Sequence, residues 1–501
     1  MGLVIGIDGG TESIRARVYD LTGACLGTAA QPYETKFSPG ARAEQDPEDW
    51  WRGAGLAVRG AIADAKVGAK RVRALAADTT CCSVVALDEH GRALRPAIIW
   101  MDVRAEAEAA AALATGDPAL RVNCDGAGPV SAEWMIPKAL WIARNEPDVF
   151  ERAKTICEYQ DFVNLRLTGR RCASLNNVSI RWHYSKQRGG PARSLAEKLG
   201  VSSLLEKWPS DVLAPGEVIG PLTREAAEHL GLSTDVLVAQ GGADALIGMI
   251  GLGVHKPGQL ALITGSSHLM FGVSDAPVSV AGLWGTYDSA VYPALHIIEG
   301  GQTSTGSIIN WLRRFNGGAL DLKTLNVEAE KLAPGCDGVF CLDHFQGNRT
   351  PYVDALSRGA FVGLTLAHGM PHLFRAAIEG ICFGSRAIFD TMRKAGFTAT
   401  EITIGGGATA SNLWLQIHAD TSGLPVSIPE SAEAPSLGCA VLAGVGAGLF
   451  SSIDEGIAAM VRRGRTIEPR AKESAIYDDL YRRYSMLYPA LKPITRKETQ
   501  H

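Results

Sequence analysis

The chain has 501 residues, of which 46% are apolar and 20% are charged, and its formal net charge is −4. This length is too great for one hydrophobic core and predicts two large domains, and the composition excludes a disordered or fibrous protein. The slightly acidic balance offers no basic surface for nucleic acid or anionic lipid, so we expect neither of these partners.

The N-terminus and the cysteines are typical of a cytoplasmic protein. The apolar run at residues 3–7 has no basic start and meets Asp8 at once, unlike a signal peptide. No apolar stretch reaches the length of a membrane span without interruption. The ten cysteines have no metal-ligand spacing. We therefore expect a soluble protein with free thiols in the reducing cytoplasm.

The first segment of the chain predicts a β-hairpin. Residues 3–7 are typical of a buried strand, residues 8–11 form a tight turn, and alternating apolar residues return as a second strand. Gly10 and Thr11 could offer backbone N–H groups and a hydroxyl to a phosphate. Arg15 either reaches the same phosphate or remains solvated.

Asp8 ends the first predicted strand beside this turn. A carboxylate at that place repels phosphate unless a cation lies between them, which favours a Mg²⁺ site. The alternative is a turn aspartate that bonds its own backbone. The sequence alone leaves both interpretations open.

Helices and a further strand follow. Pro47–Ala65 is amphipathic with proline in the first turn, and residues 105–114 form an alanine-rich helix. Residues 236–239 predict a strand, 240–242 a turn, and Asp244 lies at the start of the next helix. Asp244 is therefore either a helix cap or a general base for an attacking hydroxyl.

A second hairpin, over residues 259–275, repeats the first. When the two are aligned, Gly265 and Ser266 fall on Gly10 and Thr11, which indicates an internal repeat. Two facing turns of this kind could bind a polyphosphate from both sides; two ordinary tight turns are the alternative. The change of domain is expected just after Gly253.

The second half continues with alternating strands and helices. Residues 371–394 predict a long helix with a buried stripe, and residues 436–449 a helix of small residues. Residues 403–408 follow a strand–glycine turn–helix pattern in which Gly406 and Gly407 would let a flat ligand approach the backbone. Such alternation predicts the α/β class, with both halves built alike.

Several motifs together resemble the FGGY carbohydrate kinases across nearly the whole chain. The most specific is the second FGGY signature, which matches residues 359–364, 372–373 and 376–379. The resemblance implies two actin-like (ribonuclease H-like) domains, 1–253 and 254–501, around a nucleotide cleft, with ATP and Mg²⁺ as cofactors. The other matching segments are residues 6–11, 44–46, 100–102, 161–169 and 347–351.

The resemblance also implies roles for individual residues. Asp244 resembles the catalytic base and Asp8 the metal-associated acid. The positions that match ATP contacts are Thr11, Ser13, Thr264, Gly265, Gly306, Asn310, Gly407 and Ser411. The positions that match the acceptor pocket are Thr80, Cys81, Cys82, Trp100, Asp102, Arg181 and Glu299.

The acceptor pocket is most similar to that of the ribulose-kinase-like branch. Glycerol kinases carry Arg-Glu and xylulose kinases Met-His where this chain has Thr80 and Cys81. Cys82 stands in the place of a serine of that branch, and Arg181 in the place of a lysine. We expect a pentulose such as ribulose as substrate; a tetrulose, xylulose or polyol is the alternative within the family. A nucleotide-binding regulator or ATPase is the alternative of another class, and the oligomeric state, including a homodimer, stays open.

Overall fold

The computed structural model describes residues 2–315, 321–431 and 433–495. The first half contains thirteen strands among these residues, and they are β1 (Leu3–Gly9), β2 (Ser13–Tyr19), β3 (Cys25–Pro32), β4 (Lys36–Ser38), β5 (Arg42–Gln45), β6 (Val72–Thr79), β7 (Val84–Leu87), β8 (Ala97–Ile98), β9 (Thr155–Glu158), β10 (Ala173–Ser174), β11 (Val212–Leu213), β12 (Val218–Pro221) and β13 (Leu237–Ala239). Its α-helices are α1 (Pro47–Ala65), α2 (Glu106–Ala114), α3 (Met135–Asn145), α4 (Pro147–Arg152), α5 (Tyr159–Thr168), α6 (Leu175–Arg181), α7 (Arg193–Lys198), α8 (Leu204–Lys207), α9 (Arg224–Leu230) and α10 (Asp244–Gly251).

The second half again alternates strands and helices. Its strands are β14 (Gln259–Thr264), β15 (His268–Ser274), β16 (Trp284–Asp288), β17 (His296–Gln302), β18 (Phe340–Leu342), β19 (Ala360–Val362), β20 (Glu401–Gly406), β21 (Val426–Pro429) and β22 (Arg463–Ile467). Its α-helices are α11 (Gly306–Arg314), α12 (Leu322–Glu330), α13 (Met370–Lys394), α14 (Asn412–Ser422), α15 (Ala434–Gly446), α16 (Ile453–Met460), α17 (Ala471–Tyr484) and α18 (Leu487–Thr495).

The two largest sheets have the same topology. The first sheet has the order β3-β2-β1-β6-β13-β12, and the second has β17-β15-β14-β20-β21-β22 with β16 added at one edge. In both sheets the first three strands pair antiparallel (β3-β2-β1 and β17-β15-β14). The third strand then begins a run of three parallel strands (β1-β6-β13 and β14-β20-β21), and the last strand, β12 or β22, pairs antiparallel with this run. The α/β class and the internal repeat predicted from the two hairpins are confirmed.

The predicted hairpins and helices agree closely with the observed ones. Each hairpin turn contains three residues, after Gly9 in the first half and after Thr264 in the second. The predicted bounds of α1 are confirmed, because the Asp46 side chain accepts a hydrogen bond from Glu48 N and proline occupies the first turn. Helix α15 begins two residues earlier than predicted and ends three earlier, with Pro435 in its first turn.

Helix α15 lies late in the chain but packs against the first sheet. A Cβ atom on Gly6 of β1 would lie 1.9 Å from the Ser436 carbonyl oxygen, so the helix and the strand are in close backbone contact. Residues of β1, α10 and α15 share one buried apolar cluster. All strands of the first large sheet precede residue 253, and all strands of the second follow it. The domain boundary just after Gly253 stays a prediction. Among the described residues, none of the helices has the length and apolarity needed to cross a bilayer.

Candidate active site

Three side chains from other parts of the first half donate hydrogen bonds to the first hairpin turn, two to backbone carbonyl groups and one to a hydroxyl. Tyr33 donates its hydroxyl to Gly10 O, and Gln45 donates from Nε2 to Thr11 O at 2.7 Å. Trp100 donates from Nε1 to Thr11 Oγ1 at 2.9 Å. Trp100, predicted in the acceptor pocket, therefore also contacts the predicted phosphate turn. Ser13, a further predicted ATP contact, begins β2 directly after this turn.

Asp8 lies next to this turn at the end of β1, and it is 6% exposed. Arg15 Nη1 lies 3.2 Å from Asp8 Oδ2. Burial raises the pKa of Asp8, and the nearby Arg15 and Arg17 guanidiniums act in the opposite direction. The structure thus pairs two residues for which the sequence predicted separate contacts, one with metal and one with phosphate.

A second aspartate, Asp78, lies beside Asp8 on the neighbouring strand β6. Their Cα atoms are partners in the parallel pairing of the strands. Asp78 is 0% exposed, its Oδ2 accepts from Cys439 Sγ at 3.1 Å, and its Oδ1 has no hydrogen-bond partner among the described residues. Burial and the charge of Asp8 raise the pKa of Asp78 well above its ordinary value. This residue was missed by the sequence analysis, although an acid in the apolar run of β6 was a visible signal.

Asp244 is the first residue of α10, and it follows the short strand β13. A bridge between Thr79 and Ala243 places it beside the ends of β1 and β6. The N-cap position belongs to Ala243, so the interpretation of Asp244 as the helix cap is wrong. Burial and the charge of Asp8 raise the pKa of Asp244 to about 7, although its backbone bond from Ala245 N lowers it.

The second hairpin turn adjoins two other backbone segments. Gly306 N, at the start of α11, donates to Gly265 O at 3.2 Å, and Thr305 N donates to Ser266 O at 2.9 Å. Thr264 Oγ1 accepts from Ala408 N at 3.0 Å, just after β20. The turn, the N-terminus of α11 and the glycine segment after β20 are therefore adjacent in the fold, and their contact with ATP stays a prediction.

Glycine is required at two of these positions by close backbone contact. A Cβ atom on Gly406 would lie 2.0 Å from Thr264 O, and this residue has φ +91°. A Cβ atom on Gly306 would lie 2.3 Å from Gly265 O. At Gly265 itself, a Cβ atom would meet only Ser267 O at 3.8 Å, and at Gly407 nothing within 4 Å. The latter two backbones are therefore open to a ligand.

For two other predicted ATP contacts, Ser411 and Asn310, the structure shows no hydrogen bond to the second hairpin turn among the described residues. Ser411 caps α14, because its Oγ accepts from Trp414 N at 3.1 Å, and the same hydroxyl lies 2.5 Å from Asn326 Oδ1. Asn310 is an exposed residue on α11. Their contacts with a nucleotide stay predictions.

The predicted acceptor residues 80–82 directly follow β6. Thr80 N donates to Gly9 O at 3.0 Å, so this segment adjoins the end of β1. Cys82 is buried, whereas Cys81 is partly exposed. Asp102 is less accessible: it is 0% exposed, and its carboxylate accepts from Ala43 N and Arg104. A substrate contact by Asp102 would require this network to open.

Arg181 and Glu299 are joined across the two halves of the chain. Arg181 Nη2 lies 3.0 Å and 3.1 Å from the two carboxylate oxygens of Glu299. Tyr287 donates its hydroxyl to Glu299 Oε2 at 2.7 Å, and Arg349 contacts Oε1. Burial alone would raise the pKa of Glu299, but the two guanidiniums lower it to about 2. Arg181 and Glu299 were expected in the acceptor pocket from the sequence, whereas no role was predicted for Tyr287 or Arg349.

Known proteins resemble this chain along almost its entire length. Residues 3–251 match the N-terminal domain of the FGGY family of carbohydrate kinases, and residues 260–447 match its C-terminal domain. The FGGY carbohydrate kinase domain-containing protein of Homo sapiens is 30% identical over an alignment of 529 positions, gaps included. This alignment covers 95% of this chain and 94% of that protein.

Two further relatives carry more specific names. A ribulokinase of Shouchella clausii is 30% identical, with 97% of this chain and 94% of the relative covered. The crystal structure of a xylulose kinase from Rhodospirillum rubrum is 28% identical and superposes with a TM-score of 0.88, covering 99% of this chain and all of that one (100%). The two family domains, the repeated sheets and the paired hairpin turns agree: this chain belongs to the FGGY family of carbohydrate kinases, which are ATP-dependent sugar kinases.

Proposed function

We propose that the protein transfers the γ-phosphoryl group of ATP to a hydroxyl of a pentulose, with Asp244 as the general base. The observation that carries this proposal is the position of Asp244, partly exposed beside Asp8 at the strand ends, with its pKa raised to about 7. A general base is most effective when its pKa lies near the working pH.

In the proposed reaction, the Asp244 carboxylate accepts the proton of the attacking sugar hydroxyl. The hydroxyl oxygen bonds to the γ-phosphorus as the bond to ADP breaks. Because phosphoryl transfer depends mainly on positioning and charge neutralisation, proton removal supplies only part of the rate acceleration. The two hairpin turns supply positioning. The N–H groups of Gly10 and Gly265 close the turns by donating to Ser13 O and Ser267 O, so the backbone N–H groups of residues 11–12 and 266–267 are the ones proposed to bind the phosphates.

Asp8 is the proposed metal-associated acid. Mg²⁺ usually keeps several waters and is bound through one or two carboxylates together with substrate phosphates. That donor set fits Asp8, a single carboxylate at the end of β1 beside the first hairpin turn, with Arg15 Nη1 3.2 Å from its Oδ2. Mg²⁺ would neutralise charge on the phosphates, and Arg15 would shift from Asp8 toward them.

Ribulose is the leading substrate because of the segment that follows β6. Thr80 and Cys81 stand where glycerol kinases carry Arg-Glu and xylulose kinases Met-His, and with Cys82 they resemble the Thr-Cys-Ser segment of the ribulose-kinase-like branch, with Cys82 in the place of the serine. The ribulokinase named above is also among the most similar relatives. Xylulose is the second candidate, because the solved xylulose kinase superposes over the whole chain.

The test is ADP release with MgATP across ribulose enantiomers, xylulose, erythrulose, ribitol and glycerol. We expect the highest kcat/KM with one enantiomer of ribulose. A preference for xylulose or another acceptor would retain the kinase mechanism and remove the ribulose assignment. ADP release that does not depend on any acceptor would favour the ATPase alternative.

A further inference from the structure

Cys81 and Cys82 form a pair of neighbouring thiols at the end of β6. Their sulfur atoms lie 3.8 Å apart. Cys81 is partly exposed, whereas Cys82 is 3% exposed. Of the other eight cysteines, Cys25 is exposed and the rest are buried. A reagent that bonds to two thiols can therefore reach Cys81 from solvent and then bond to Cys82 beside it.

The backbone around Cys82 is fixed by buried charged groups. Cys82 N donates to Glu158 Oε2 at 3.0 Å, and Lys138 Nζ donates to Cys82 O at 2.9 Å. Cys82 has φ +64°, a left-handed conformation that is uncommon outside glycine. These contacts hold the Cys82 thiol beside that of Cys81.

The spacing suits a bridging atom better than a direct disulfide. A disulfide needs sulfur atoms about 2.05 Å apart and Cα atoms usually about 4.4–6.8 Å apart. The Cα atoms of adjacent residues are only about 3.8 Å apart across a trans peptide. An atom that bonds both sulfurs leaves them further apart and avoids this conflict.

We propose that Cys81 and Cys82 are a chelating site for trivalent arsenicals, and that occupation of this site blocks the acceptor pocket. With phenylarsine oxide, two As–S bonds form, the arsenic–oxygen bond is lost, and both thiol protons leave in one water molecule. Arsenic stays trivalent, so the step needs no oxidant or reductant. The first thiol to react is Cys81, and the second bond then closes within the same molecule, which strongly favours the bridged product.

The blocking part of this proposal rests on the proposed function, whereas arsenical binding does not. The Arg181 guanidinium lies 5.8 Å from the ring centre of Trp134, which packs in the same apolar cluster as Cys81 and Cys82, and Thr80 adjoins the end of β1. A phenylarsenic group on the thiols would therefore occupy space between Arg181 and the catalytic strand ends, where we place the sugar.

The experiment treats the full chain with one equivalent of phenylarsine oxide and measures intact mass and sugar phosphorylation. We expect one phenylarsenic group per chain, resistant to 2-mercaptoethanol and removed by 2,3-dimercaptopropanol. Cys81→Ser and Cys82→Ser should each lose the stable adduct, whereas Cys25→Ser should keep it. Inhibition is compared with the untreated rate of each variant.

Monofunctional alkylation provides a second control. Burial and the neighbouring Cys81 thiol raise the pKa of Cys82 well above its ordinary value, so N-ethylmaleimide should modify Cys25 and Cys81 but spare Cys82. A stable adduct in both single serine variants, or no adduct in the unmodified protein, would overturn the site. A full adduct with unchanged sugar phosphorylation would overturn the blocking of the pocket, whatever the substrate proves to be.

Discussion

The two large sheets share one strand order but carry different side chains at their strand ends. In the first sheet, Asp8 and Asp78 are partners on β1 and β6. At the matching places of the second sheet, Ile263 and Gly405 are partners on β14 and β20. The first sheet therefore presents acids and the second presents bare backbone and hydroxyls. We propose that this one scaffold, used twice, supports two kinds of chemistry.

This difference suggests a division of roles between the halves. Acids at the first strand ends suit proton transfer and a cation, whereas glycines at the second suit close approach of a nucleotide. Arg181 and Glu299 then join the halves, one from each side.

Replacing the proposed base should have the largest effect. We expect Asp244→Asn to lower kcat for sugar phosphorylation by about 10²–10⁴-fold, because general base catalysis contributes about that much. The matched control is Asp235→Asn, an exposed aspartate shortly before β13, which should leave kcat unchanged. Near-normal turnover in folded Asp244→Asn protein would show that Asp244 is not the general base.

The same residue predicts a pH dependence of the wild-type enzyme. Asp244 must be deprotonated to accept a proton, and its pKa is raised to about 7. The rate should therefore fall as pH decreases through 7 and level off above it. The measurement is kcat/KM from pH 5.5 to 8.5, and a flat profile over this range would contradict the assignment.

Breaking the link between the halves should reduce stability. Glu299→Gln leaves the partly buried guanidiniums of Arg181 and Arg349 without the buried carboxylate that they share, and breaking a buried ion pair in this way costs about 3 kcal/mol. The measurement is thermal unfolding at pH 7, with the exposed Glu430→Gln as control. Equal unfolding temperatures of Glu299→Gln and wild type would contradict this role.

The Glu299 effect should also depend on pH. Its pKa is about 2 in the folded chain and 4.5 ordinarily, so the stabilisation is fully present above 4.5 and is lost as pH falls toward 2. The stability difference between wild type and Glu299→Gln should therefore narrow below pH 4.5. A difference that stays constant down to pH 3 would show that the carboxylate charge is not its source.

A side chain on the second turn should weaken nucleotide binding without disturbing the fold. Gly265→Val places its Cβ in open space, so its effect should fall on the phosphates. Loss of hydrogen bonds to charged groups, about 1.5–3 kcal/mol, would raise the KM for MgATP about 10–150-fold. The control is Gly220→Val on β12, where a Cβ would meet nothing within 4 Å. Unchanged ATP affinity in Gly265→Val would contradict binding by the second turn.

The smallest effect is expected at the first turn. Tyr33→Phe removes the hydroxyl that bonds Gly10 O, a loss of about 0.5–1.5 kcal/mol that should raise the KM for MgATP a few-fold. The matched control is Tyr352→Phe, which removes the hydroxyl of a more exposed tyrosine in the second half. If both variants bind MgATP equally well, Tyr33 does not position the turn.

Local patterns in the sequence predicted much of the fold. Both hairpins and α1 were predicted correctly because strand alternation, turn residues and caps act over a few neighbours. The repeat followed from comparing two such segments. The interpretation of Asp244 as a helix cap failed because the helix begins at Asp244 itself and its N-cap position belongs to Ala243.

Long-range pairing in the site could not be predicted in the same way. Arg181 and Glu299 are 118 positions apart, and Trp100 and Thr11 are 89 apart. Sequence reasoning gave them roles toward ligands but had no means to show that they bond each other. Asp78 was missed because its importance depends on the strand pairing with Asp8, which only the folded sheet reveals.

The most direct test of the division of roles is the affinity of Asp244→Asn for MgATP without sugar, measured by titration calorimetry beside the wild type. We expect unchanged affinity, because in the proposed division of roles the second half and the phosphate turns hold the nucleotide, while Asp244 acts only on the sugar hydroxyl. If the affinity falls as far as kcat falls, Asp244 takes part in nucleotide binding and the proposed division of roles is wrong.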